Sequence, residues 1–151
     1  MPARRLFAPL LLASALVATS TGTASAAVVT AHQGKSCAGS AVTRCAWINF
    51  DKTNNRMRAY GEVRDVSGGT NYDVKLDTVW VDEYSAGSWI ERDWVWHSSD
   101  GWHGTSDAES TGLLTCSGNR TYRVRMETAW RKAGTTGGGT REIRTSKTYT
   151  C

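Results

Sequence analysis

A chain of 151 residues with 18 Lys and Arg against 14 Asp and Glu carries a formal charge of only +4, with the two signs interleaved along its length. That balance lacks the dominant basic footprint of a nucleic-acid binder, and nucleic acid is excluded as a first reading of the partner. The length is that of one domain, and no segment holds the roughly 20 apolar residues of a membrane-spanning helix.

The first 26 residues read as an export signal. Arg4 and Arg5 supply a positive start, Pro9 to Val17 a short apolar run, and Ala24-Ser25-Ala26 the small residues of a cleavage site. Cleavage after Ala26 leaves 125 of the 151 residues, with 16 basic side chains against 14 acidic ones, a formal charge of +2. Both prolines fall inside the signal, so residues 27–151 are rich in Gly and Thr and free of Pro, a β-rich composition. Residues 27–40 are small, polar and unpatterned, and are expected to form a flexible N-terminal arm ahead of a domain at 41–151. In such an arm Val28 and Val29 offer apolar contacts and Lys35 a charge, suited to a groove or sheet edge on a partner.

Strand patterns then run in order. Val42 to Phe50 is the first, with Asp51-Lys52-Thr53-Asn54-Asn55 as its turn. Arg56 to Val66 alternates, with Met57, Ala59, Gly61 and Val63 on one side. Tyr72 to Tyr84 alternates until Val79-Trp80-Val81, where the break predicts a bulge or burial on both faces. Ser85-Ala86-Gly87 turns into a tryptophan-bearing strand from Trp89, and His97 to Asp107 reads as a loop. A short strand at Glu109 to Thr115 precedes the clearest pattern in the chain, Thr121 to Lys132. There Tyr122, Val124, Met126, Thr128 and Trp130 alternate with Arg123, Arg125, Glu127, Ala129 and Arg131. Thr140 to Thr150 closes the chain.

About seven strands and no helical period predict an all-β, antiparallel sandwich. Tyr122, just past the polar corner at 116–121, resembles the tyrosine corner of immunoglobulin-like and fibronectin-III-like domains, which implies that fold. Pairing Arg131 with Thr140 sets Glu127 opposite Arg144 and Arg125 opposite Ser146, points Ile143, Thr145 and Tyr149 inward, and lays Cys151 opposite Arg120. Trp47, Trp80 and Trp130 are expected to fill the core.

Four cysteines in an exported chain read as two disulfides, and three pairings are possible. The preferred one joins Cys37 to Cys45 across a short loop and Cys116 to Cys151, which the register above brings together. On the chain-entropy argument the longer loop stabilises by roughly 3–4 kcal/mol and the shorter by about 2–3 kcal/mol.

Candidate chemistry is sparse. His97, Asp100, His103 and Asp107 form the one cluster suited to a metal, but their spacing matches no tight ligand motif, and neither metal nor cofactor is expected. Glu91 and Asp93 share a strand face without a cleft, the arrangement of a solvated surface and not of a glycosidase. No nucleophile elbow, catalytic-cysteine context or phosphate loop occurs, so no enzyme is expected. Seven tryptophans are the larger signal. Trp94 and Trp96 share a face and Trp102 lies on the adjoining loop, a set able to anchor a protein or stack on sugar rings.

The Ala-Ser-Ala signal, the loose arm, the Cys45-Ala46-Trp47 strand start and the Tyr149-Thr150-Cys151 ending resemble the small secreted immunoglobulin-like proteins of actinobacteria. In size and layout the chain is similar to the small adaptor subunits of umbrella-shaped antibacterial toxin particles. That resemblance implies a secreted, non-catalytic adaptor that joins a lectin-bearing subunit to a repeat-containing stalk, its arm inserting into one of them. Two other functions fit the residues: a carbohydrate-binding module using the Trp residues, or a protease inhibitor presenting Arg44 from the loop at 38–44.

Overall fold

The computed structural model describes residues 31–32, 34–97, 99–116, 118–137 and 139–151. The expected signal, with Val28 and Val29 of the expected arm, lies outside the described residues. Among the described residues eleven strands run in order: β1 (Ala31–His32), β2 (Ser36–Ala38), β3 (Val42–Asp51), β4 (Arg56–Asp65), β5 (Tyr72–Ser85), β6 (Ser88–Trp96), β7 (Ser106–Ser110), β8 (Leu114–Thr115), β9 (Thr121–Lys132), β10 (Thr140–Thr145) and β11 (Tyr149–Thr150). Seven of them have five residues or more.

One sheet runs β1-β3-β4-β7, with β2 also on β3 and β8 on β4; the other runs β10-β9-β5-β6, with β11 on β9. The chain lays β3 and β4 in the first sheet, crosses for β5 and β6, returns for β7 and crosses again for β9 and β10. Every pairing is antiparallel. The result is an immunoglobulin-like sandwich with both expected disulfides, Cys37–Cys45 and Cys116–Cys151.

Alternation builds the core. Ala46, Ile48 and Phe50 of β3 and Met57, Ala59 and Val63 of β4 face Val74, Leu76, Val79 and Val81 of β5 and Tyr122, Val124 and Met126 of β9, all of them buried. The sheets pack tightly at Gly61, where a Cβ would stand 2.8 Å from Val79 Cγ2. Tyr122 is fully buried at the start of β9, its ring centroid 6.4 Å from that of Phe50. Tyr149 of β11 donates its hydroxyl across the layers to the Ala46 carbonyl at 3.0 Å. The β4–β5 crossover is organised by Asp65, whose carboxylate accepts the Ser67 and Asn71 amides at 2.9 and 2.8 Å and the Tyr72 amide at 2.9 Å.

Four expectations are corrected. Part of the expected arm is sheet: Ser36–Ala38 pairs with Arg44–Ala46, and Ala31 and His32 pair with Phe50 and Asn49. A row of free hydrogen-bonding groups along β3 recruited a segment that side-chain pattern alone does not mark. The β9–β10 register is shifted by one residue, since Thr140 pairs with Trp130 and Ile143 with Glu127, while Tyr149 pairs with Tyr122 as expected. Ser146 absorbs the difference: its amide donates to the Val124 carbonyl at 2.8 Å and its hydroxyl accepts the Val124 amide at 2.9 Å. Ile143 and Thr145 therefore face outward.

Trp80 also faces outward, because Asp77 is an extra residue between Leu76 and Thr78 against β9. This is the bulge that the broken alternation signalled, and it turns everything beyond it by one face. Trp47 is buried as expected, though by stacking on Tyr60 on the outer side of the first sheet, with centroids 5.1 Å apart and planes 6° apart, and Trp130 is partly buried against the core. Finally, Arg92 is an extra residue between Glu91 and Asp93, so those two carboxylates lie on opposite faces.

Candidate functional site: the outer face of the β10-β9-β5-β6 sheet

The residues of β6, β5 and β9 that point away from the core form cross-strand rows. Trp96, Thr78 and Glu127 make one, continued by Ile143 on β10; Trp94, Trp80 and Arg125 make the next, continued by Thr145; Glu91, Asp82 and Arg123 make the third; Trp89, Tyr84 and Thr121 the fourth. Directly opposed residues share a face, and with the two bulges in β5 and β6 five aromatic rings stand on this one, Trp80, Tyr84, Trp89, Trp94 and Trp96.

Arginines stand over the rings. The Arg123 guanidinium lies 4.3 Å from the Trp89 centroid, that of Arg125 lies 5.0 Å from Trp80, and that of Arg131 lies 4.3 Å from Trp102. Such cation–π pairs hold the planar groups flat against the sheet. Tyr84 and Trp89 make a tilted pair at 5.2 Å.

Carboxylates fix the arginines. Asp82, buried on the sheet, accepts Arg123 Nε at 2.8 Å and both Arg125 Nε and Nη2, at 2.8 and 2.9 Å. Burial raises the Asp82 carboxyl, yet the hydrogen bonds and charges of Arg125 and Arg123 outweigh it and hold the group below its ordinary range. Arg125 Nη2 also reaches Glu91 at 3.0 Å. At the end of the sandwich Glu83, likewise buried, pairs with Arg120 and Arg92. The charges of this face are thus mutually matched and oriented, while Trp96 and Trp94 remain 64% and 53% exposed and Ile143 64%.

The structure places Trp94, Trp96 and Trp102, three of the residues singled out from sequence, on one side of the sheet. His103 bridges to Val74, which carries Trp102 to the same side of the sheet as the other two. Lys35 lies on the other layer: it pairs with Glu62 at 2.7 Å, stands 4.2 Å from the Trp47 centroid and lines a hollow of about 270 Å³ with Thr43, Cys45, Arg64 and Val66. Arg44 is not presented by its loop. Its guanidinium donates to the Val42 carbonyl at 2.7 Å, pairs with Glu142 at 2.8 Å and covers Trp130. Trp80, Trp89, Arg123 and Arg125 join the site without having been named for it. The alternation of Arg123 and Arg125 was visible, but Trp80 required the bulge.

Among the described residues the face's ionised groups Asp82, Glu91, Arg123 and Arg125 are engaged with one another. The face presents exposed aromatic area set in a preorganised frame of arginine and carboxylate. A scan of protein-family models matches none to this chain, and no curated protein sequence matches it.

Proposed function

We propose that the protein is an exported, non-catalytic protein–protein interaction module, and that the outer face of the β10-β9-β5-β6 sheet is its contact surface. One observation carries this reading: Trp94 and Trp96 stand exposed beside Trp80, Trp89, Arg123 and Arg125 on one continuous face. Trp, Tyr and Arg dominate binding hot spots, and an exposed apolar patch framed by fixed charges marks an interface. The export signal read from residues 1–26 and the two disulfides support an extracellular setting. The layout of the chain supports the finer assignment, an adaptor in an antibacterial toxin particle that joins a lectin-bearing subunit to a repeat-containing stalk.

A second reading has its own support. Trp94 and Trp96, two residues apart on a strand, lie about 7 Å from each other, a spacing suited to adjacent sugar rings. Affinity capture from the native culture supernatant separates the two. Immobilised protein is expected to retain defined co-secreted chains, and the Trp94→Ala/Trp96→Ala variant to lose at least one of them. Retention on insoluble glycans with no captured protein favours the second reading, and identical capture by the double variant refutes both uses of this face.

A further inference from the structure

The open side of the sandwich, between β6 of one sheet and β7 of the other, is closed by the crossover beyond Trp96. Five potential metal ligands meet there. His97 Nε2 lies 3.3 Å from Glu109 Oε2, and His103 Nε2 lies 3.5 Å from Asp100 Oδ2 and 3.9 Å from Asp107 Oδ2. The donor atoms of Asp100, His103 and Asp107 all fall within 4.8 Å of one another, as do those of His97, Asp100 and Glu109. Sequence spacing could not show this, because Glu109 enters the set only through the pairing of β7 with β4.

Three properties distinguish the cluster from an ordinary polar loop. First, His103 Nε2 is enclosed and makes no hydrogen bond, though two carboxylates face it. Its distances to them are long for hydrogen bonds but close to the edge of a coordination polyhedron, since tetrahedral bonds of about 2.0–2.2 Å set ligand atoms roughly 3.3–3.6 Å apart.

Second, the ligands are held from behind. His103 exchanges two main-chain hydrogen bonds with Val74 at 2.8 and 2.9 Å, the His97 amide donates to the Asp77 carbonyl at 2.9 Å, and Asp107 accepts the Leu76 amide at 2.7 Å. Third, Asp107 and Glu109 pair with Val63 and Gly61 and so point toward the interior. Among the described residues no Lys or Arg forms an ion pair with Asp100, Asp107 or Glu109.

We propose that Asp100, His103 and Asp107 bind one divalent transition-metal ion of the zinc class, with water completing the shell and the His97–Glu109 pair adjoining it through Asp100. One imidazole and two carboxylates suit zinc and the metals near it better than calcium, which takes oxygen ligands alone. The ion clasps the crossover to β5 and β7. This site is independent of the partner surface and stands or falls without it.

The test is titration of the untagged full chain with ZnCl2 by calorimetry, after treatment with EDTA, together with melting curves. Saturable binding of one ion per chain is expected, with a melting temperature raised by about 5–10 °C at a hundredfold excess over Kd. CoCl2 should give the intense visible bands of a tetrahedral site. His103→Ala and Asp100→Asn replace partly exposed side chains and should melt like the parent in EDTA, yet each should weaken zinc binding at least tenfold. No binding by the parent chain, or binding that survives either substitution within twofold, overturns the proposal.

Discussion

Arg125 grips Asp82 with two parallel hydrogen bonds, Nε to Oδ2 at 2.8 Å and Nη2 to Oδ1 at 2.9 Å, while the same guanidinium covers the ring of Trp80. The planar fork makes this possible, and lysine could not replace it. Arg125→Ala is therefore expected to cost about 1–3 kcal/mol in urea unfolding, between the values for exposed and buried pairs, because Arg123 still holds Asp82. Arg125→Lys should recover only part of the loss. Because the folded Asp82 carboxyl titrates below its unfolded counterpart, its contribution is full above the ordinary carboxylate pKa and disappears as the pH falls through the depressed value. The Arg125→Ala variant should lose less stability over that acid range than the parent.

Gly61 leaves no room for a side chain between the sheets. A methyl group there meets Val79 Cγ2 at 2.8 Å and Leu76 Cδ2 at 3.2 Å, both on fully buried side chains. Gly61→Ala should destabilise by about 1–3 kcal/mol through overpacking, although Ala is the better strand residue by propensity. Chemical denaturation checks it, and an unchanged midpoint would place the contact elsewhere.

Much of the fold could be read from strand alternation, because period-two patterns at Arg56 to Val66 and Thr121 to Lys132 leave little choice of face. Two kinds of feature could not. The bulge at Asp77 was visible only as a broken pattern, and the direction in which it turned Trp80 depended on its pairing with β9. The register of β10 depended on Ser146, a single polar residue that satisfies the Val124 amide and carbonyl and so allows a one-residue slip between β10 and β11. The candidate site was legible in part. Trp94, Trp96 and Trp102 stood out by type and spacing, whereas the arginines that cover the rings joined them only through pairing between β5 and β9.

Tyr149 carries a hydroxyl donor into the core, and its phenol is pushed up by burial. Its bond to the Ala46 carbonyl ties the chain end to the opposite sheet, close in sequence to Cys151. Tyr149→Phe keeps the ring and removes the donor, so the expected loss is about 1–3 kcal/mol with the fold retained. Equal stability of parent and variant would mean that water replaces the bond.

Asp65 gives the pH dependence a defined position. The Ser67 hydroxyl at 2.5 Å and the amides of Ser67, Tyr72 and Asn71 lower its carboxyl to about 2. The folded value lies below the ordinary 3.8, so its stabilisation is complete above about pH 4 and is lost between there and about pH 2. A carboxyl-detected NMR titration should find this midpoint. Asp65→Asn should loosen the crossover at 66–71 and flatten the acid limb of the stability curve.

The central claim is that the outer face of the β10-β9-β5-β6 sheet binds a partner, and the affinity of a captured partner for the Trp94→Ala/Trp96→Ala variant tests it most directly. Both rings are exposed and support no core contact, so the variant should melt within about 2 °C of the parent. Removing two central aromatic anchors should raise Kd at least a hundredfold, since a single hot-spot residue contributes about 2 kcal/mol or more. A Kd within twofold of the parent, at unchanged stability, would contradict the assignment.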